Sequence, residues 1–168
     1  NSSTGQVAIK FGIEGPSLTI TTACAASANA VGEAKNLIEN GIVDMVVAGG
    51  TESGTTPMTI AAFAQIRALS TKNDIPAEAC SPFDKNRDGF VMAEGSTVLI
   101  MESEESANSR NAKIYGYVDG YGATTDAHHI TAPAEGGAGA LRAMELALKD
   151  AGIEKNKIEY INAHGTST

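Results

Sequence analysis

Large aromatic side chains are scarce: Phe and Tyr make up 5% of the chain and tryptophan is absent, so small residues must do most of the packing. Cysteine is almost as rare. Cys24 and Cys80 are too few for a disulfide scaffold, and their spacing matches no zinc pattern. Basic residues are outnumbered, 12 Lys and Arg against 20 Asp and Glu, for a net charge of -8. With no basic cluster either, a nucleic-acid or anionic-membrane surface is excluded. No apolar run approaches the roughly 18 residues of a membrane span. Neither a phosphate-binding GxxxxGK[ST] loop nor the dinucleotide glycine fingerprint occurs, which argues against nucleotide binding. The N-terminus has no methionine and no charged-then-apolar leader, so a cytoplasmic protein is expected, with Asn1 not its natural start.

What is present describes a globular α/β chain. The 168 residues, 42% hydrophobic and 19% charged, suffice for about one domain with a core of its own if the chain is complete. Eighteen glycines and many alanines suit closely apposed helices and sheet. Residues 25–40 carry Ala30, Val31, Ala34, Leu37 and Ile38 at helical spacing, with Gly41 as the C-terminal cap. The run 43–50 that follows reads as a strand covered on both faces, as in a parallel sheet. Further strands are expected at 17–22, 96–101, 113–118 and 158–162. Helices are expected at 60–68, within 102–111, and at 138–151, the last with Leu141, Met144, Leu148 and Ala151 inward and Gly152 as cap.

Few residues in this frame are placed to carry chemistry. Cys24 lies between an expected strand and an expected helix, where unpaired helix N–H groups favour a thiolate. It reads equally as a candidate nucleophile or as a small buried hydrophobe. Cys80, in a turn-rich stretch, reads as structural. His164 sits at the carboxyl end of an expected strand, where α/β sheets place their crevices and where an imidazole can polarise a carbonyl, although a lone loop histidine is the alternative. His128 and His129 beside Asp126 are adjacent residues that point apart, a poor metal site. The series Asp84 to Gly89 imitates a calcium loop but has Gly95 where the bidentate glutamate belongs, so it reads as a hydrogen-bonded polar turn.

Taken together, Gly15-Pro16-Ser17, Thr22-Ala23-Cys24, Val47-Ala48-Gly49-Gly50-Thr51-Glu52, Arg67-Ala68-Leu69-Ser70, Pro82-Phe83-Asp84 with Arg87-Asp88-Gly89-Phe90, and Asn162-Ala163-His164-Gly165-Thr166-Ser167-Thr168 resemble the β-ketoacyl-[acyl-carrier-protein] synthases. Within them the ketosynthase II group of bacterial fatty-acid synthesis is the most similar. The resemblance runs over essentially the whole chain. It implies a thiolase-like layered αβαβα fold, of which this chain is a central fragment: residues 1–105 would be the C-terminal part of the first half, and 106–168 the beginning of the second.

The resemblance also implies an acyltransferase that performs a decarboxylative Claisen condensation with malonyl-[acyl-carrier-protein] in fatty-acid chain elongation. Cys24 would be the acylated nucleophile, and His164 of the His-Gly-Thr motif would assist decarboxylation. Thr166 and Thr168 would hydrogen-bond the carrier's pantetheine arm, Thr131 and His129 would lie near its entrance, and Arg67 would meet the acidic acyl carrier protein. No cofactor and no metal are implied, and the whole protein is expected to be a homodimer. A second catalytic histidine, a lysine and one oxyanion donor are expected beyond Thr168, so the fragment alone should be inactive and expose apolar faces. Ala25-Ala26 replaces hydroxyl-bearing residues that are frequent after the nucleophile, and Ala93 to Ser96 a usual glycine-rich stretch, which leaves acyl-chain preference open. A polyketide ketosynthase domain and a non-catalytic partner subunit are the alternative readings.

Overall fold

Glycine and proline set several element ends in the computed structural model, which describes residues 1–168. In chain order the elements are α1 (Ser2–Phe11), α2 (Ala26–Glu39), β1 (Met45–Glu52), α3 (Pro57–Gln65), α4 (Pro76–Ala79), β2 (Gly95–Glu102), α5 (Glu104–Ser109) and α6 (Ala138–Ala151), with short 3-10 turns before α2, before α6 and after it. The expected helix at 25–40 is α2, and Gly41 ends it at φ 64°. Its N–H donates to the Ile38 carbonyl at 2.9 Å and that of Ile42 to Leu37 at 3.0 Å, the paired bonds that close a helix on a left-handed residue. The expected span and glycine cap of α6 are those observed. The helix expected at 60–68 begins three residues earlier, because Thr56 accepts from the Thr59 N–H and Pro57 pre-sets the first turn.

Two compact units divide the chain: Asn1–Gly50 with Val98–Ile158, and Thr51–Thr97 with Glu159–Thr168. In the first, α2 lies on β1 so closely that any side chain at Gly50 would overlap Ser27. The extended segment 118–126 lies along α6: a side chain at Gly120 would meet the Ala147 carbonyl, one at Gly122 that of Ala143, and Thr124 donates to the Gly139 carbonyl at 2.8 Å. In the second unit α3, α4 and long turns surround the parallel bridge Leu69–Phe90, and the Phe63 and Phe90 rings meet edge to face at 5.4 Å.

Three expected strands are not formed. Residues 17–22, 113–118 and 158–162 have the right composition, but a strand exists only where a neighbour supplies ladder donors and acceptors, and the only paired strands here are β1 and β2. The expected inward face of α6 is right only in part. Ala151 lies against Gly120 and Leu148 is half-buried, but Leu141 and Met144 are 51% and 46% exposed, and the face against segment 118–126 is the small-residue line Gly139, Ala143, Ala147 and Ala151.

Nor is there a conventional core: the buried hydrophobic residues are Ala34, Ala48, Ala79 and Ala107, and no large side chain is fully buried. The strand expected to be covered on both faces has Met45 and Val47 exposed. The chain leaves 12854 Å2 accessible, where a folded monomer of its mass would leave roughly 7,800 Å2.

Candidate active site

In the first unit Cys24 sits in the 3-10 turn Ala23–Ala25 that leads into α2. The residues around it take unusual backbone angles. Thr22 has φ -126° and ψ 39°, and Ala23 has φ 51°, in the left-handed region that an L-residue enters at a cost of order 1–3 kcal/mol. Such a bend turns the chain sharply at the helix entrance and leaves Cys24 exposed in this section of the fold. The Ala25 N–H closes the turn onto the Thr22 carbonyl at 3.1 Å, whereas the Cys24 N–H has no partner. Thr22 Oγ1 donates to Asn29 Oδ1 at 2.5 Å, one turn further along α2.

In the second unit the segment His164–Thr168 is held by the turn 81–89. Ser167, buried and at φ 65°, accepts the Ser81 N–H on its hydroxyl at 3.0 Å and the Gly89 N–H on its carbonyl at 2.9 Å. Arg87 Nε donates to the Thr168 carbonyl at 2.9 Å, and Gly165 rests against Pro82 and Phe83. Gly89 has to be glycine, because at φ 141° a side chain would run into the backbone of Leu69 and Ser70. His164 is thus exposed on a segment pinned on its C-terminal side, and Thr166 and Thr168 have their hydroxyls 2.6 Å apart. Arg67 stands exposed at φ 55° where α3 ends, with no side-chain hydrogen bond or ion pair.

The turn itself is the polar one expected from Asp84 to Gly89. Asp84 accepts the Asn86 N–H at 2.6 Å, and Asp88 accepts the Ser70 hydroxyl at 2.6 Å with the N–H and hydroxyl of Thr71 at 3.0 and 3.1 Å. Those bonds, the Ser70 hydroxyl first, pull the Asp88 carboxyl down to about 2 from 3.8. A depressed carboxylate stabilises the fold above its unfolded value and loses that contribution as pH falls through its folded one. Protection of the Thr71 amide from hydrogen exchange is therefore expected to hold at pH 5 and to decline between about pH 4 and pH 2, and Asp88→Asn should remove that decline. Equal protection at both ends of the range would contradict this.

Of the other candidate residues, His129 and Thr131 lie in one turn of the first unit. His129 Nδ1 accepts the N–H groups of Thr131 and Ala132 at 3.2 and 3.1 Å, which fixes its proton on Nε2, while Asp126 accepts from the Ala134 N–H at 3.0 Å. The candidates therefore fall into two sets: Cys24, His129 and Thr131 in one unit, and Arg67, His164, Thr166 and Thr168 in the other. Sequence reasoning missed Ser167, Arg87 and Gly89 as the anchors of the His164 segment, and Asn29 and Tyr121 beside the Cys24 turn. Asn29, a polar residue in the alanine-rich first two turns of α2, was the available signal for the latter pair.

Comparison with known proteins gives this geometry its context. The profile of the β-ketoacyl synthase N-terminal domain matches residues 1–107, and that of the C-terminal domain residues 115–168. The chain belongs to the β-ketoacyl synthase family. Curated relatives include the 3-oxoacyl-[acyl-carrier-protein] synthase 2 of Synechocystis sp., 54% identical over 168 residues, all of this chain and 40% of that protein. The protein of the same name from Staphylococcus aureus is 53% identical over 165 residues, 98% of this chain and 41% of the relative. The chain thus spans about two fifths of the length of these relatives.

Among solved structures, a type II polyketide ketosynthase in complex with its acyl-carrier protein, bound to the hexaketide, superposes with a TM-score of 0.95 at 40% identity, over 99% of this chain and 41% of that one. A β-ketoacyl synthase from Burkholderia phymatum gives 0.93 at 38% identity, over 98% and 40%. The fold is accordingly the thiolase-like α/β fold of the ketosynthases, and this chain is one section of it. No helix is long and apolar enough to cross a membrane.

Proposed function

We propose that the whole protein elongates acyl chains on acyl carrier protein, with Cys24 as the residue that holds the growing chain. The observation that carries this reading is the exposed Cys24 on a strained turn at the entrance of α2, with its own N–H unpaired. Cys24 Sγ attacks the carbonyl of an acyl thioester, the bond from that carbonyl to the carrier's sulfur breaks, and the pantetheine leaves as a thiol. Malonyl carrier then loses CO2. The electron pair of the broken C–C bond passes into an enolate, which attacks the acyl-enzyme and expels Cys24 Sγ. Electrons and atoms balance between the two thioesters, so the scheme requires no added cofactor. A covalent intermediate splits one difficult step into two easier ones. The free Cys24 N–H suits the thioester oxyanion, a donor of the type worth on the order of 3 kcal/mol.

In this scheme His164 stabilises the enolate, Thr166 and Thr168 hold the pantetheine arm, His129 and Thr131 stand near its entrance, and Arg67 meets the acidic carrier. Residues 1–105 then belong to the first half of the fold and 106–168 to the second. The exposed apolar side chains of β2, Val98, Leu99 and Ile100, support further coverage by the rest of a homodimeric protein, which we place in the cytoplasm. Fatty-acid rather than polyketide elongation is favoured by 54% identity to a 3-oxoacyl-[acyl-carrier-protein] synthase 2 against 40% to a polyketide ketosynthase.

Peptide mass spectrometry of the whole protein after exposure to an acyl carrier thioester tests the reading. An acyl group confined to Cys24 is expected. A folded protein left unmodified by an intact donor would instead be a non-catalytic partner.

A further inference from the structure

A strained turn stays bent only where its surroundings over-determine it. From residues 21–25 a single side-chain hydrogen bond leaves the turn, that of Thr22 to Asn29. Asn29 is fixed in its turn by a residue 92 positions away: its Nδ2 donates to the Tyr121 hydroxyl at 2.6 Å. Tyr121 is itself held at two further points. Its ring lies so close over α2 that a side chain at Gly32 would overlap it, and its backbone N–H donates to Asp150 on α6 at 2.9 Å. Asp150 pairs with Lys35 at 2.9 Å, and Lys35, 5% exposed, also pairs with Glu39 at 2.6 Å. Thr22 is thereby tied through two side-chain hydrogen bonds to a charged cluster that joins α2 and α6, all within the first unit.

We propose that Asn29 and Tyr121 are a positioning pair that sets the orientation of the Cys24 thiol. Neither touches the reacting atoms; they act through Thr22. The inference rests on the reading of Cys24 as the nucleophile, but it makes a separate claim about the geometry of the turn. With the Tyr121 hydroxyl removed, the half-buried Asn29 amide loses the partner that fixes its rotation, and its carbonyl no longer holds Thr22 in one place. A single hydrogen bond of this kind changes an equilibrium by about two- to tenfold.

The test is Tyr121→Phe, Asn29→Ala and the double variant in the whole protein, each followed by two readouts. The first is the rate of Cys24 alkylation by iodoacetamide, with Cys80 in the same sample as internal control. The second is single-turnover acyl transfer to Cys24 at varied donor concentration. Tyr121→Phe is expected to slow Cys24 alkylation about three- to tenfold and leave Cys80 unchanged. It should lower the maximal acylation rate by a similar factor without raising the donor concentration for half-maximal rate, a split that a general loss of stability would not produce. The double variant should be no worse than the poorer single variant, since both changes break one tether. Alkylation at the wild-type rate in Tyr121→Phe, or additive effects in the double variant, would overturn the proposal. If wild-type Cys24 accepts no acyl group while Tyr121→Phe still slows its alkylation, the positioning pair stands and the acyl-transfer reading falls. Should Tyr121→Phe lower the folded fraction, alkylation of Asn29→Ala, which leaves the ring on Gly32, decides the same question.

Discussion

Cys24→Ala in the whole protein is expected to abolish condensation, a fall of roughly 10^4-fold or more, as for other nucleophiles that carry a covalent intermediate. The size of the effect follows from the chemistry of alanine, which offers no atom for the acyl group to occupy. The first half-reaction then has no product, and no later group can substitute. Folding should be little disturbed, since Cys24 is exposed and its side chain makes no hydrogen bond in the structure. Release of CO2 from malonyl carrier is expected to continue in this variant, because the residues assigned to that step lie elsewhere in the chain. Radiolabelled product and CO2 measured on the same sample check both halves of the expectation. Condensation at the wild-type rate in Cys24→Ala would remove this residue from the mechanism.

His164→Ala should show the complementary pattern: acyl transfer to Cys24 retained, with decarboxylation and condensation lowered on the order of 10^2- to 10^3-fold, the usual effect of deleting one donor to a developing oxyanion. The structure supports a clean experiment. His164 is exposed, whereas the segment that carries it is pinned by Ser167, Gly89 and Arg87, none of which depends on the imidazole. A loss of activity in His164→Ala can therefore be assigned to chemistry if the hydrogen-exchange protection around Asp88 is unchanged. An unaltered rate of CO2 release would refute the assignment. The reciprocal control is Ser167→Ala, which keeps the imidazole but removes the hydroxyl that accepts the Ser81 N–H.

The two variants together separate the enzymatic readings from the non-catalytic one. A partner subunit that only binds carrier protein would lose neither acylation nor decarboxylation, having neither to begin with. An elongating enzyme loses a different half-reaction in each case.

The local code of this chain was legible without any structure. The periodicity of residues 26–39 and 138–151, with Gly41 and Gly152 just beyond them, is read directly because helix hydrogen bonds are made within the segment itself and the caps lie beside it in sequence. The polar turn from Asp84 to Gly89 was legible for the same reason, as was the placement of a cysteine at a helix entrance. Strands failed where helices succeeded. Residues 17–22, 113–118 and 158–162 have strand composition, but their hydrogen bonds need a partner that local sequence cannot name. Nor could periodicity alone choose the packed face of α6, because the glycines at 120 and 122 bring backbone to backbone and select Gly139, Ala143 and Ala147 over the larger Leu141 and Met144.

By itself, then, the sequence determined the helices, their ends, and the residue types able to carry acyl transfer, all properties of neighbouring positions. Tertiary structure alone decided which distant residues hold those types in place: Tyr121 on Asn29 across 92 positions, and Ser167 on Ser81 across 86. Such pairs are set by how the chain returns on itself. Hydrogen bonds at that separation leave no periodic trace along the chain.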